Sequence, residues 1–554
     1  MTGTDGGKQL PLPEREGWGE GPRGEAVAPA HGHGRRIAKS AALIMLGNVG
    51  SRVLGLLREQ TIAALFGTTV TASIFSAVSR VPTLVYDLLI GGAITAALVP
   101  GFSEIAGREE RGDPGARGEL RRVAGAVLAL ALAVLIPTVA LLVVFARPLI
   151  GLLGVGFAPE IQEQGVLLTR IALPSVVLLG VAAVLMAVLY ALHRVTLPSF
   201  AAAAYNLGII VCALGLGHVW GATGLVVGLV VGATAQLALQ MYGLRDRLPQ
   251  LNADLRSPAV RRILTLYAPV AGGLLVSAAV VVLDTRLASL TGERSLAAMR
   301  YATNVVQLPL GLVATALSFA VLPVLSRYGA AGARDPAFRT TLSAGIRAAL
   351  FLIVPATVIL VVLREPVVRL LFQRGTFGAD DTRITAEALL YYAPQLPFVA
   401  VDQLLIAAFY GLQNTRLPVA VGVLGAALYA AVATMTVDRL GMSGLVLANT
   451  IQNSAHAVIL FFLLGRLHRE ALPPGMGGAC LRVTAGAVAM AAVFLVFERM
   501  MPSPDTALSL FLYLSGVVAA GGAGYVSAIA LLGGDEVALA RGMVLSRLRP
   551  RGTA

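Results

Sequence analysis

Charge is scarce in this chain. Of its 554 residues only 13% are Asp, Glu, Lys or Arg, about half the share in a soluble domain. Lysine is nearly absent, with only Lys8 and Lys39. The two cysteines, Cys212 and Cys480, both lie in apolar runs and read as small core or lipid-facing residues. So little charge and cysteine excludes an ordinary soluble enzyme, a disordered chain and a disulfide scaffold. The HExxH, CxxC and Walker A patterns are missing as well, and with them the sequence signals of an enzyme. No cofactor or metal site is expected. With no nucleotide site, any transport must draw on an ion gradient or the membrane potential.

Apolar sequence is what the chain has in quantity. Hydrophobic residues make up 56% and the mean hydropathy is +0.79. The apolar runs are continuous rather than alternating, which favours membrane-spanning helices over a barrel. Fourteen stretches qualify. They lie near residues 38–64, 71–103, 123–146, 165–192, 199–216, 221–243, 262–290, 296–325, 343–363, 385–412, 417–437, 442–465, 479–499 and 507–532. The expected fold is therefore all-α and polytopic. Residues 1–37, rich in Gly, Pro and charge, read as a disordered tail, and 533–554 as a short basic tail.

The formal net charge of +13 is spread over loops without aromatic interleaving, so it implies an anionic lipid surface rather than nucleic acid. Arginines collect in alternate loops: Arg108 to Arg122, Arg245 to Arg262, Arg327 to Arg339, Arg466 and Arg469, and the C-terminal tail. By the positive-inside rule both termini are cytoplasmic. One loop breaks the alternation: 364–383 should be outside yet carries Arg364, Arg369, Arg374 and Arg383.

The segment from Gly67 to Pro100 resembles that from Gly292 to Pro323. Each runs from a turn into a long apolar stretch with an internal proline, Pro82 or Pro309. This divides the chain into spans 1–6 (38–243), spans 7–12 (244–465) and two added spans (466–532). Paired repeats are a common plan for transporters with a site between the halves.

Charge at membrane depth is costly, so it usually faces a cavity or a partner. The first stretch carries Arg52 and Arg58. Two guanidiniums suit a phosphate or diphosphate, although Arg58 can instead snorkel outward and pair with Glu59. The second stretch has Arg80 and Asp87 on one face, around Pro82. Asp284 and Arg286 point to nearly opposite faces of the seventh, and their place near its outer end favours the interface. Arg300, Asn304 and Gln307 form one polar stripe on the eighth.

Several segments resemble the MurJ (MviN) lipid II flippases of the MOP exporter superfamily. Ser51-Arg52-Val53-Leu54-Gly55-Leu56-Leu57-Arg58-Glu59 is similar to their first-helix signature. Tyr190-Ala191-Leu192-His193-Arg194 and Leu197-Pro198-Ser199-Phe200 resemble later segments. So do Leu371-Phe372-Gln373-Arg374-Gly375-Thr376-Phe377 and Phe409-Tyr410-Gly411-Leu412-Gln413-Asn414-Thr415-Arg416-Leu417-Pro418. The resemblance implies a two-lobed transporter in the bacterial cytoplasmic membrane. It implies a cationic cavity and movement of undecaprenyl-pyrophosphate-linked peptidoglycan precursor between leaflets by alternating access. It also implies partners in cell-wall synthesis.

On this reading Arg52, Arg58, Arg80, Asp284, Arg286, Arg300 and Asn304 bind substrate, and Arg374, Gly375 and Pro418 are structural. The chain departs from the family pattern at Ser73, Tyr86-Asp87, Gly91-Gly92 and Ala302-Thr303-Asn304, where family charges are missing. Arg80, Arg286 and Arg300 are the candidates to replace them. The alternatives are a flippase for another polyprenyl-linked glycan, a transport-inactive scaffold and a small-solute antiporter.

Overall fold

The computed structural model describes residues 31–89, 98–252, 258–329, 332, 334–468, 470, 475–501 and 503–534. Among them there are helices and no strand. The first half contains α1 (His31–Phe66), α2 (Val70–Leu89), α3 (Val99–Glu110), α4 (Ala116–Val144), α5 (Ala146–Leu153), α6 (Pro159–Ala172), α7 (Pro174–Ala191), α8 (Ala201–Trp220) and α9 (Ala222–Gly243). The second half contains α10 (Pro258–Leu290), α11 (Ser295–Pro309), α12 (Thr315–Gly329), α13 (Pro336–Val362), α14 (Arg364–Phe372), α15 (Ala379–Tyr392), α16 (Leu396–Gly411), α17 (Arg416–Leu440) and α18 (Met442–Leu467). Two more helices follow, α19 (Met476–Met500) and α20 (Ala507–Leu531).

Ten of these helices, counting α6–α7 and α15–α16 as one each, are long and apolar enough to cross a membrane. The other apolar stretches fall on α1, α2, α10 and α11–α12, which are helical too and carry arginine. The tail expected over 1–37 is helical from His31 onward; residues 1–30 and 535–554 lie outside the described residues. The stretch read as 71–103 is α2 followed by the start of α3, with 90–97 outside the described residues.

Local chemistry sets the helix ends. Asp335 caps α13, accepting from the Ala337 N–H at 2.8 Å, with Pro336 in the first turn where a missing N–H costs nothing. Prolines also bend continuous passages. Pro174 opens α7 directly after α6, and Pro394 lies in the 3₁₀ turn between α15 and α16. The turn Leu310–Ala314 between α11 and α12 is π-helical and follows Pro309.

The two halves repeat one another. The turn after α7 and the turn after α16 each hold a non-glycine residue at positive φ, His193 at 55° and Gln413 at 57°. The surrounding hydrogen bonds are the same: Arg194 N–H to Leu189 O and Asn414 N–H to Phe409 O, both 2.9 Å. A single glycine joins α8 to α9 and another joins α17 to α18. Gly221 and Gly441 sit at φ 54° and 57°, a left-handed conformation that a side chain would oppose. Each antiparallel pair packs closely; Gly208 meets the Gly232 backbone so tightly that a Cβ there would clash.

One apolar core runs through both halves, from Ile62 and Phe75 to Tyr301, Phe372 and Phe409. A second core fills the first half, and a third joins α19 and α20 to α13. The shared core lies near Gly67, where polar contacts also cross between halves. Thr376 N–H donates to Ala64 O at 2.9 Å, and Tyr301 Oη to Gly67 O at 2.9 Å. The Ala297 N–H reaches Ser73 Oγ at 3.3 Å, and the Gly156 N–H reaches Ser289 Oγ at 3.2 Å.

At the arginine-rich opposite end, hydrogen bonds among the described residues tie the first half to the segment 244–252 that follows α9. Arg121 Nε donates to Leu248 O at 3.0 Å, Gln250 N–H to Arg121 O at 3.2 Å, and Arg247 pairs with Glu109 at 2.8 Å. Arg194 holds Asp246 in a fork of two 2.6 Å bonds. Those bonds keep the Asp246 carboxyl well below the usual carboxylate range.

The arginines that broke the charge alternation are engaged where they stand. Arg364 donates to Val361 O at 2.8 Å and Arg374 to Leu370 O at 2.7 Å. Arg369 pairs with Asp505 at 2.9 Å and Arg383 lies 3.7 Å from Asp380. Arg369 ties α14 to the α19–α20 connection, and the other three contacts are local.

Candidate functional site: a paired-arginine cavity between the halves

A cavity of about 640 Å³ lies between the halves. Its walls come from α1, α2, α8 and α9 on one side and from α10, α11, α15, α16 and α18 on the other. The helices that contribute its charge, α1, α2, α10 and α11, are not among the ten apolar ones.

Five of the seven predicted substrate residues line it: Arg58, Arg80, Asp284, Arg300 and Asn304. Their organising residue is Glu59, fully buried behind the wall. From α1, Arg58 donates to Glu59 Oε1 through Nε at 3.0 Å and Nη2 at 2.5 Å. From α11, Arg300 donates to the same carboxylate through Nε and Nη2, both at 2.9 Å. One acid thus holds two guanidiniums from opposite halves. Arg58 Nη1 also reaches Asn206 Oδ1 at 2.8 Å and Arg300 Nη1 reaches Ser79 Oγ at 3.0 Å. The Arg300 guanidinium lies over the Phe75 ring, 4.8 Å from its centroid.

A second bridge crosses the cavity. Arg80 Nη1 donates to Asp284 Oδ2 at 2.7 Å and to Thr285 Oγ1 at 2.8 Å. Tyr429 Oη donates to the other oxygen of Asp284 at 2.6 Å. Asp284 therefore lies in the cavity wall, correcting the interface position favoured from sequence. Its partners sit on distant segments, which is why its own helix gave no sign of them. Asp87 shares the lining and is exposed to it.

Arg52 and Arg286 lie outside the lining. Arg52 reaches from α1 to Gln307 O at 3.4 Å, and its guanidinium packs on Gly311 in the π turn so closely that a Cβ there would clash. Asn304 donates to the carbonyl of Arg300 at 2.9 Å. Gln307 lines the cavity, as its stripe with Arg300 and Asn304 implied.

The motif residues do not line the cavity. Gly375, at φ 62°, abuts the Ala64 carbonyl, where a Cβ would clash. Pro418 is buried in the first turn of α17. Sequence reasoning missed Tyr205, Tyr392, Gln395, Asn449 and Asn453, which complete the polar lining. Their common signal is a polar side chain amid apolar helical sequence.

Three guanidiniums, Arg58, Arg80 and Arg300, are matched in number by three carboxylates, Asp87, Asp284 and Glu59 behind the wall. The arginines are held by acids that belong to the protein. A bound anion would have to take them over, and doing so would loosen bridges between the halves.

Helices of both halves around a polar chamber define a membrane transporter fold. The fold matches a solved structure described as Lipid II flippase MurJ in an inward closed conformation, with TM-score 0.74 and 20% identity, covering 88% of this chain and 98% of that one. An inward-facing multidrug resistance MATE transporter of the MOP superfamily matches at TM-score 0.62 and 19% identity, covering 76% and 94%.

The sequence profile of the family described as Lipid II flippase MurJ matches residues 62–515, and the chain belongs to this family. Relatives include a probable lipid II flippase MurJ of Rhizobium meliloti, 29% identical and covering 91% of this chain and 96% of its own. The corresponding protein of Bdellovibrio bacteriovorus is 29% identical over 78% of this chain and 82% of its own. The Lipid II flippase MurJ of Burkholderia cenocepacia is 28% identical over 77% and 83%. The chain is thus a multi-pass membrane transporter, not an enzyme.

Proposed function

We propose that this protein is a lipid II flippase of the inner membrane. It carries the undecaprenyl-pyrophosphate-linked peptidoglycan precursor from the inner to the outer leaflet by alternating access, using fourteen spans arranged as two six-helix lobes plus two. The observation that carries the reading is the convergence of Arg58 and Arg300, cavity residues from opposite halves, on Glu59 buried behind the wall. A diphosphate diester carries two negative charges and matches the guanidinium fork. Its arrival replaces the internal Glu59 carboxylate with the substrate diphosphate as the arginines' partner and frees the halves to rock. Arg80 and Asp284 form a second exchangeable bridge. Arg52 and Arg286 would act outside the central chamber, along the entry or exit route. The arginine-rich end faces the cytoplasm with both termini, and an ion gradient or the membrane potential drives the cycle. Cell-wall synthesis proteins are the expected partners.

The test is rescue of a bacterium depleted of its own lipid II flippase. The native chain should restore growth, and Arg300→Ala should lower the transport rate at least about tenfold, as expected for losing a charge-assisted bidentate contact. Rescue by Arg300→Ala as good as by the native chain at equal expression overturns the reading. One observation favours a second reading, a different polyprenyl-diphosphate-linked glycan: the family charges replaced by Ser73, Tyr86-Asp87 and Asn304. In that case the native chain fails to rescue, yet binds the other lipid-linked glycan in an Arg300-dependent way.

A further inference from the structure

The second half contains an ionic contact that the cavity does not use. His456, midway along α18, places Nδ1 2.7 Å from Asp402 Oδ1 on α16. Its Nε2 lies 3.3 Å from the carbonyl oxygen of Pro418, in the first turn of α17. The two side chains are only 15% and 16% exposed, and neither lines the central cavity.

Both neighbours of the ring are acceptors. A carboxylate and a backbone carbonyl offer lone pairs and no proton. A neutral imidazole has one N–H, so one of its nitrogens would turn a lone pair toward an oxygen lone pair. The imidazolium, with two N–H groups, satisfies both contacts and neutralises the carboxylate. In a poorly solvated site an unmet polar contact is costly enough to shift a conformational balance.

Charged and titratable groups on the helices packed against α18 are engaged elsewhere or lie at helix ends. On α15, Glu387 accepts from Ser443, while Tyr391 and Tyr392 lie at its far end, and Tyr392 faces the cavity. On α17, Tyr429 is bound to Asp284, while Arg416, Asp438 and Arg439 sit in the first and last turns. On α10 and α11, Asp284 and Arg300 are held by Arg80 and Glu59. On α16, Tyr410 is at the exposed end. Asp402 is the charged group in hydrogen-bond contact with the ring.

We propose that His456 and Asp402 form a proton-binding site that fastens α16, α17 and α18 together when charged. Loss of the Nε2 proton to water leaves the Nδ1–H on Asp402 and releases the first turn of α17. Because that turn ends the α16–α17 connection, protonation sets how freely the second half moves. The inference does not depend on which lipid is carried.

The test uses the full chain in lipid nanodiscs. Nitrogen-15 spectra of labelled histidine, with His456→Gln to assign the signal, report the ring's protonation from about pH 5 to about pH 9. Hydrogen exchange, corrected for the intrinsic rate, reports protection of residues 416–422 over the same range. The expected result is a doubly protonated His456 at the acid end. As that signal titrates, protection should fall at least about threefold, an opening cost of ~0.65 kcal/mol. The fall should vanish in Asp402→Asn. A ring with a single N–H at the acid end overturns the proton site. Protection that stays flat while the ring titrates overturns the release. Both outcomes can be read from the native chain, so misfolding of a variant does not decide the matter.

Discussion

The two ends of the molecule are fastened differently. Near Gly67, backbone and side-chain bonds join segments from opposite halves: Ala64 with Thr376, Gly67 with Tyr301, and Thr68 with Asp381. At the arginine-rich end, the bonds of Arg121, Arg194 and Arg247 join the first half to the connecting segment 244–252. Between the ends, Glu59 and Asp284 bridge the halves through arginines. One end is sealed by contacts that opening must break. The other is held, among the described residues, by contacts with the segment that connects the two halves. That asymmetry is what a transporter halted at one stage of its cycle should show.

The largest effect is expected where the bridge is most buried. Glu59→Ala leaves two guanidiniums facing each other without their acid. Breaking a buried ion pair costs about 3–5 kcal/mol. Thermal unfolding in detergent should show a clear drop in melting temperature, and transport should be lost. A variant as stable as the native chain would mean that the cavity, not the acid, sets the arginines.

A smaller effect is expected at the sealed end. Gly375→Ala places a methyl against the Ala64 carbonyl and forces a left-handed conformation that costs about 1–2 kcal/mol. Labelling of a cysteine introduced at Ser73, by a reagent added from that side, should speed up. An unchanged rate would show that the seal rests on the apolar core alone.

The smallest effect is expected at the arginine-rich end. Asp246→Asn removes an exposed pair worth less than about 1 kcal/mol. The sign follows from a carboxyl whose folded pKa is depressed. Its contribution is present above the unfolded value of about 3.9 and is lost as pH falls through the lower folded value. Native and variant melting temperatures should therefore differ slightly at neutral pH and converge in strong acid. A large difference at neutral pH would make this end as critical as the other and erase the contrast.

The sequence revealed the helices because each is a local apolar run. It revealed Arg58, Arg80 and Arg300 because charge inside such runs is costly. It could not reveal what those charges meet. Arg80 finds Asp284 and Arg300 finds Glu59 only after the halves close on each other. Asp284 was read toward the interface because it lies near the outer end of its stretch, and its partners lie on distant segments. The π turn that Arg52 packs against directly follows Pro309, and nothing read from the sequence indicated it. Tyr429 and Asn453 were hidden because a single polar residue in an apolar helix is as easily a packing contact.

The one-residue joints at Gly221 and Gly441 bear on how the chain is made. A helix pair closed by a single glycine has its partner strands of sequence side by side as soon as both have been synthesised. Contacts within α8–α9 and α17–α18 are local, and local contacts form quickly. Each pair can enter the bilayer as a preassembled hairpin. Assembly of the whole is then a matter of docking finished hairpins rather than sorting separate helices. A bulky residue at either joint should delay biogenesis before it impairs the mature transporter.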